Sequence, residues 1–164
     1  MAQTVRVREE CAEDRDAIHR LLVGAFSGAQ EAVLVEALRA SGDLPLSLVA
    51  ELDGQIVGYL GMPRLKSPPR ALALAPVAVA PTQQQRGIGA RLIEEGIDRA
   101  RRAGEDIVFV AGDPGYYTRF GFDLDAAQNF SSAYAGSYFM ALWLTDQQCQ
   151  PCQVVYPAAF SDLG

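Results

Sequence analysis

The sequence predicts an α/β domain built on a mixed sheet, and three observations carry that prediction. An Asp53-Gly54 pair sits between two apolar runs, a nearly continuous apolar run fills 71–80, and a helical apolar stripe over 88–100 separates it from a further apolar run at 107–111. Asp-Gly marks an antiparallel hairpin, because both residues accept positive φ. The run at 71–80 reads as a central strand covered on both faces. Strand, helix and parallel strand then form a right-handed crossover unit, whose loops at the strand C-terminal ends are open to ligands.

The remaining elements follow in order. Val5 and Val7 alternate with Arg6 and Arg8, which predicts a short first strand. Acidic residues over 13–16 suit a helix start, and Ile18, Leu21, Leu22 and Ala25 recur at helical spacing. Gly28 breaks that stripe, and Val33, Leu34, Ala37 and Leu38 form a second one closed by Gly42. Strands over 46–52 and 55–65 flank the hairpin turn, and Ser67-Pro68-Pro69-Arg70 makes another turn. In the long helix Ile88, Leu92, Ile93, Ile97 and Ala100 share a face opposite Glu94, Glu95, Asp98 and Arg99, and Gly104 ends it. A short turn of helix at 116–120 precedes two closing strands at 138–144 and 154–156. No repeat, low-complexity tract or linker divides the chain, so 1–164 is expected to be one domain.

Composition narrows the partners. With 164 residues and 49% hydrophobic content the chain can bury one sizeable core. A net charge of −6 disfavours nucleic acid and anionic lipid as partners. No apolar run approaches the roughly 18 residues of a membrane span, and the N-terminus lacks the apolar core of a signal peptide. A cytoplasmic protein is expected. Cys149-Gln-Pro-Cys152 has the spacing of metal and redox sites, but the other candidate ligands, Cys11 and His19, lie far away in sequence. The pair also precedes a strand rather than opening a helix. It reads as two thiols in a polar loop, and no metal is expected.

The segment 81–92 joins the central strand to the long helix. A helix N-terminus offers unpaired N–H groups and positive partial charge, and Gly87 and Gly89 let an anion approach the backbone. Arg86 adds a fork suited to phosphate. A triphosphate loop requires a Gly-Lys pair, yet the chain's one lysine is Lys66. A dinucleotide fingerprint needs glycine at Leu92 and an acidic residue near Ala111 and Gly112. The third pattern, Gln/Arg-x-x-Gly-x-Gly/Ala, is met by Gln84-Gln85-Arg86-Gly87-Ile88-Gly89. This segment resembles the acyl-CoA motif of the GNAT superfamily of N-acetyltransferases. Ala75-Pro76-Val77-Ala78-Val79-Ala80-Pro81 is similar to the family's fourth strand, and Tyr116-Tyr117-Thr118-Arg119-Phe120-Gly121-Phe122 to the helix and turn after its fifth. The plainer alternative is a tight strand-to-helix turn made by two glycines. Two motifs in the family's order, with a strand predicted between them, weigh against it.

The resemblance implies a GNAT-type mixed, mostly antiparallel central sheet with splayed parallel strands 4 and 5, flanked by helices. It implies that Val77, Ala78 and Val79 face the thioester and pantetheine of acetyl-CoA, while Gln84, Gln85, Arg86, Gly87, Ile88, Gly89 and Ala90 hold its phosphates. The acetyl group would pass directly to a primary amine, with no acyl-enzyme and no metal. Tyr117 matches the family's general acid and also a CoA contact. A phenol of pKa about 10 can protonate a thiolate whose thiol lies near about 8.5. Tyr116 reads as packing. Glu51, Asp113, Glu31 or a water stays open as the base, and His19 has a suitable pKa but a poor location on the first helix. Gly112-Asp113-Pro114-Gly115 departs from the asparagine that members often carry there. The implied acceptor, a small molecule or a protein bearing an amine, would sit between 26–31 and 146–151. A catalytically silent CoA-binding sensor or interaction module of the same fold is the rival, and a homodimer is left open.

Overall fold

Alternation in the N-terminal segment builds β1 (Arg6–Glu9), the edge of an antiparallel sheet with β2 (Leu46–Leu52) and β3 (Gln55–Met62). The structure is a computed structural model describing residues 4–133 and 138–163. Met1, Ala2 and Gln3 of the N-terminal reading, and Gly164, lie outside the described residues. Between β2 and β3, Asp53 and Gly54 take φ of 52° and 78°, the positive values the hairpin requires.

The expected single strand over 71–80 is broken in two. β4 (Ala71–Ala73) and β5 (Val77–Val79) are separated at Ala75-Pro76, where proline has no N–H to continue a ladder. β5 stays antiparallel to β3, with Gly58 opposite Val79 and Leu60 opposite Val77. β4 pairs in parallel with β6 (Ile107–Ala111), from Ala71 opposite Ile107 to Ala73 opposite Phe109. One more bond, Leu74 N–H to the Phe109 carbonyl at 2.9 Å, closes that pairing. Beyond it β5 bonds to β3, and β6 bonds to β8 (Phe139–Trp143), so the two strands part and their backbone edges face each other across a gap. The two sheets remain joined where Ala73 N–H donates to the Pro63 carbonyl and Leu65 N–H to that of Ala71, both at 3.0 Å.

Helices cover both faces. α1 (Arg15–Phe26) and α2 (Gln30–Ser41) bury Ile18, Leu21, Leu22, Ala32 and Val35 against Val49, Tyr59 and Ala78. The α2 stripe is rotated from the predicted one: Val33 is 52% exposed, while Ala32, Leu34, Val35 and Leu38 are buried. Packing against both α1 and the C-terminal segment around Phe160 selects this wider face. On the opposite face α3 (Ile88–Arg102) sets Leu92, Ile93 and Ile97 against Leu60, Met62, Val108 and Val110. Gly96 lets it approach closely, since a Cβ there would stand 2.6 Å from Leu60 Cδ2.

Two short helices follow β6, α4 (Pro114–Tyr117) and α5 (Leu124–Ala127). The strand expected at 154–156 is shorter and elsewhere: β9 (Gln153–Val154) pairs in parallel with β7 (Ser131–Ser132), outside the main sheet. Pro151 and Pro157 bracket this segment and leave little room for a longer ladder.

Candidate functional site

The chain leaves β5 through a single turn at Pro81–Gln83 and enters α3 by way of Gln85 and Gly87, with φ of 65° and 78°. Gln84 Nε2 donates to the Val79 carbonyl at 3.2 Å, tying the loop to the end of the strand. No side chain caps α3 at Gly87, and the first bond back to that residue comes from Arg91 N–H, at 3.0 Å. The amides of the first turn are thus offered outward at the positive end of a four-turn helix. They open on a cavity of about 480 Å³ lined by Gln84, Gln85, Gly87, Ile88, Gly89 and Ala90, with Val79, Gln83, Tyr116 and Arg119 completing the wall. Six of the seven predicted phosphate-loop residues meet there.

Arg86 does not: it is exposed and outside this lining, and the cation in the wall is Arg119. Its guanidinium lies 4.6 Å from the centre of the Tyr116 ring, and its Nε donates to the Tyr116 carbonyl at 2.9 Å. A Cβ on Gly89 would stand 3.4 Å from the Tyr116 hydroxyl, so this tyrosine reaches the start of α3 rather than only packing. Sequence reasoning missed both residues. Their i, i+3 spacing, from α4 into the helical turn that follows it, was the available signal.

From this cavity the gap between β5 and β6 runs toward Leu74 and Phe109. Val77 and Val79 pack toward the α3 side and Ala78 toward α1, which leaves the backbone edge of β5 facing β6. An extended ligand carrying amides can add to such an edge as a strand would. Gap, uncapped helix end and basic wall together fit a long molecule with an amide-bearing arm and a phosphorylated head.

Tyr117, the last residue of α4, sits just past the end of β6. Its ring lies so close to Gly112 that a Cβ there would be 2.4 Å from Cε2, and Phe122 meets it edge-on with centroids 6.0 Å apart. Burial, then the neighbouring Tyr116, raise its pKa above the ordinary value, so the hydroxyl is a held proton.

The candidate bases differ in what engages them. Glu51 accepts from Arg8 at 3.0 and 3.3 Å, and Arg8 also grips Asp14 at 2.7 and 3.0 Å. This cluster lines a separate cavity of about 560 Å³ beside α1, where the one guanidinium of Arg8 is shared between two carboxylates. Asp113 caps α4 by accepting from Gly115 N–H at 2.9 Å. Glu31, in the first turn of α2, has a buried Oε2 with no hydrogen-bond partner among the described residues. His19 Nδ1 is 2.8 Å from Glu36 Oε1 on the outer side of the helices, a surface pair.

Cys149 and Cys152 pack beside Phe130, Trp143 and Tyr156 at the edge of the second core. Cys152 Sγ is 3.6 Å from Ser67 Oγ, and burial pushes the Cys149 thiol up, which suppresses its thiolate. Among the described residues no group of three or more His, Cys, Asp and Glu side chains is arranged to hold a metal ion. No helix among them is long and apolar enough to cross a membrane.

Comparison with known proteins agrees with this geometry. Residues 15–122 match the Acetyltransferase (GNAT) family. The chain is 35% identical over 135 residues to the uncharacterised N-acetyltransferase YhbS of Escherichia coli, covering 80% of this chain and 81% of that protein. The crystal structure of Escherichia coli YhbS in complex with CoA superposes with a TM-score of 0.93 at 32% identity, covering 100% of this chain and 96% of that one. A GNAT family acetyltransferase from Brucella melitensis in complex with acetyl-CoA gives 0.83 at 34% identity, covering 97% and 99%.

Proposed function

Because the chain belongs to the Acetyltransferase (GNAT) family, we propose that it moves an acetyl group from acetyl-CoA directly to a primary amine. The observation that carries this reading is the unpaired gap between β5 and β6, which ends on the uncapped start of α3 and the cavity walled by Tyr116 and Arg119. That two relatives above 30% identity were crystallised with CoA and with acetyl-CoA supports it.

On this reading the amides at Gly87, Ile88, Gly89 and Ala90, with Gln84, Gln85 and Arg119, would hold the phosphates, and the edges of Val77, Ala78 and Val79 would align the pantetheine arm. Arg86 would act from outside the wall, as a long-range charge. Acetyl-CoA supplies an activated thioester; the chain supplies position and protons. The amine nitrogen bonds to the acyl carbon as the carbon–sulfur bond breaks. Tyr117 gives its proton to the departing sulfur, a transfer its raised pKa keeps available across neutral pH, and the proton the nitrogen sheds on becoming an amide restores the phenol. Of the three carboxylates considered, we assign the amine's proton to Glu31. It carries a buried oxygen without a partner among the described residues, whereas Arg8 holds Glu51 and Asp113 is occupied as a helix cap.

The engagement of those two carboxylates is also what favours the rival, a silent CoA sensor. Thermal shift with acetyl-CoA, CoA and ATP, then thiol release across a panel of amines, tests both. A rise in melting temperature with the CoA species alone and amine-stimulated release are expected. No shift with either CoA species would overturn the donor assignment; binding without release from any amine would favour the sensor. Tyr117→Phe should bind CoA normally yet release thiol about 10²- to 10⁴-fold more slowly.

A further inference from the structure

We propose that the closed end of the β5–β6 gap is an acyl-chain pocket deep enough for donors longer than acetyl, with four to six acyl carbons. The inference rests on the donor reading above and concerns what that donor carries. Where β4 and β6 stop pairing, a cavity of about 160 Å³ opens at the fork of the two strands, between residues 73–75 and 109–111 and under Tyr156 and Phe160. Its size is close to that of an apolar cavity, of on the order of 150 Å³, that binds benzene. Two carbons of an acetyl group would leave most of it empty.

Three features point to hydrocarbon attached to the donor. Among the described residues no charged side chain contributes to the lining, so neither an ammonium nor a carboxylate would find a partner among them. Three small side chains, Ala73, Ala75 and Ala111, stand beside Phe109 in the lining, and larger ones at those positions would fill the space. The pocket also lies at the fork of the strands: its lining joins Ala75, which leads into β5, to Ala111 at the end of β6, so an arm entering at the α3 loop and running along β5 toward Ala75 would bring its thioester there. The roof comes from the C-terminal segment. Phe160 packs with Leu34 and Leu38 of α2, and its ring centre lies 5.0 Å from that of Tyr156, so the pocket depth is set by two aromatic rings anchored to the helical layer.

Calorimetric titration of the full chain with CoA, acetyl-CoA, butyryl-CoA and hexanoyl-CoA tests this without an acceptor. Each buried methylene should tighten binding about fourfold, so butyryl-CoA, with two more, is expected to bind roughly fifteenfold more tightly than acetyl-CoA. Ala111→Leu, at an exposed strand end, should erase that advantage, and Phe160→Ala should extend it to hexanoyl-CoA. Affinities flat or falling with chain length, with CoA still bound, would overturn the proposal and leave the space to an apolar group of the acceptor. A butyryl advantage untouched by both variants would overturn the assignment to this pocket. Failure of every CoA species to bind would overturn the donor reading itself.

Discussion

The Tyr117 ring rests directly on Gly112, with Cε2 only 2.4 Å from where a β-carbon at 112 would stand. Glycine is required here by proximity rather than by a left-handed backbone, and it sets the tyrosine against the end of β6. Gly112→Ala must therefore push the ring away. Overpacking of this kind costs about 1–3 kcal/mol of stability, which denaturant unfolding would read. Amine-stimulated thiol release should fall further than stability does, because the proton donor is displaced. An alanine variant with wild-type turnover would remove Tyr117 from the transfer step.

Tyr116 and Arg119 carry the second prediction. Arg119→Ala removes the cation in the wall of the α3 cavity, and hydrogen bonds to a charged group are worth about 1.5–3 kcal/mol. CoA affinity should drop by at least about tenfold, more steeply at low salt. Arg86→Ala should cost less, since that side chain stands outside the wall. Titration of both variants at two ionic strengths decides the order; a larger loss at Arg86 would show that the loop closes over its ligand.

The contrast between these two arginines shows what was legible in the sequence. The motif at 84–89 announced a helix start with glycines because those features are local: a chain direction, a missing Cβ, an uncapped turn. Arg119 reaches the same cavity only through the turn after β6, a tertiary relation that no local pattern encodes. The break at Ala75-Pro76 was hidden differently. An unbroken apolar run fits one long strand as well as two short ones, and only the pairing of β4 with β6 and of β5 with β3 distinguishes them. Hairpin, crossover unit and α3 face were readable because periodicity and turn chemistry coincide there. The rotation of α2 was not, because its buried face is chosen jointly by α1 and by Phe160, far away in sequence.

Acid sensitivity should trace to Asp14. Two hydrogen bonds from Arg8, at 2.7 and 3.0 Å, hold its carboxyl well below the usual carboxylate range, against the opposing effect of burial. A depressed pKa contributes stability that is fully present above the unfolded value near about 3.9 and is lost as pH falls from there toward the folded value. Asp14→Asn should be less stable at pH 7 by about 1.5–3 kcal/mol. The gap from wild type should narrow steadily as the pH is taken from 5 to 2 in a melting series. Parallel curves across that range would exclude Asp14 as the source.

Glu31 yields the sharpest kinetic test, because its proposed role predicts a rescue. An amine of lysine-like pKa, about 10.4, is mostly protonated at neutral pH and must lose a proton before it can attack. If Glu31 takes that proton, Glu31→Gln should lower kcat/KM at pH 7 by about 10²-fold or more. As pH rises the amine deprotonates in solution, so the deficit should shrink toward pH 10, within the range where Tyr117, its pKa raised by burial, still holds its proton. Binding of CoA should be unchanged throughout. A pH-independent deficit would mark Glu31 as a structural residue of α2, and no deficit at all would return the role to a water. The glutamine keeps the volume and the helix position, so a loss confined to low pH reports proton transfer rather than damage to the fold.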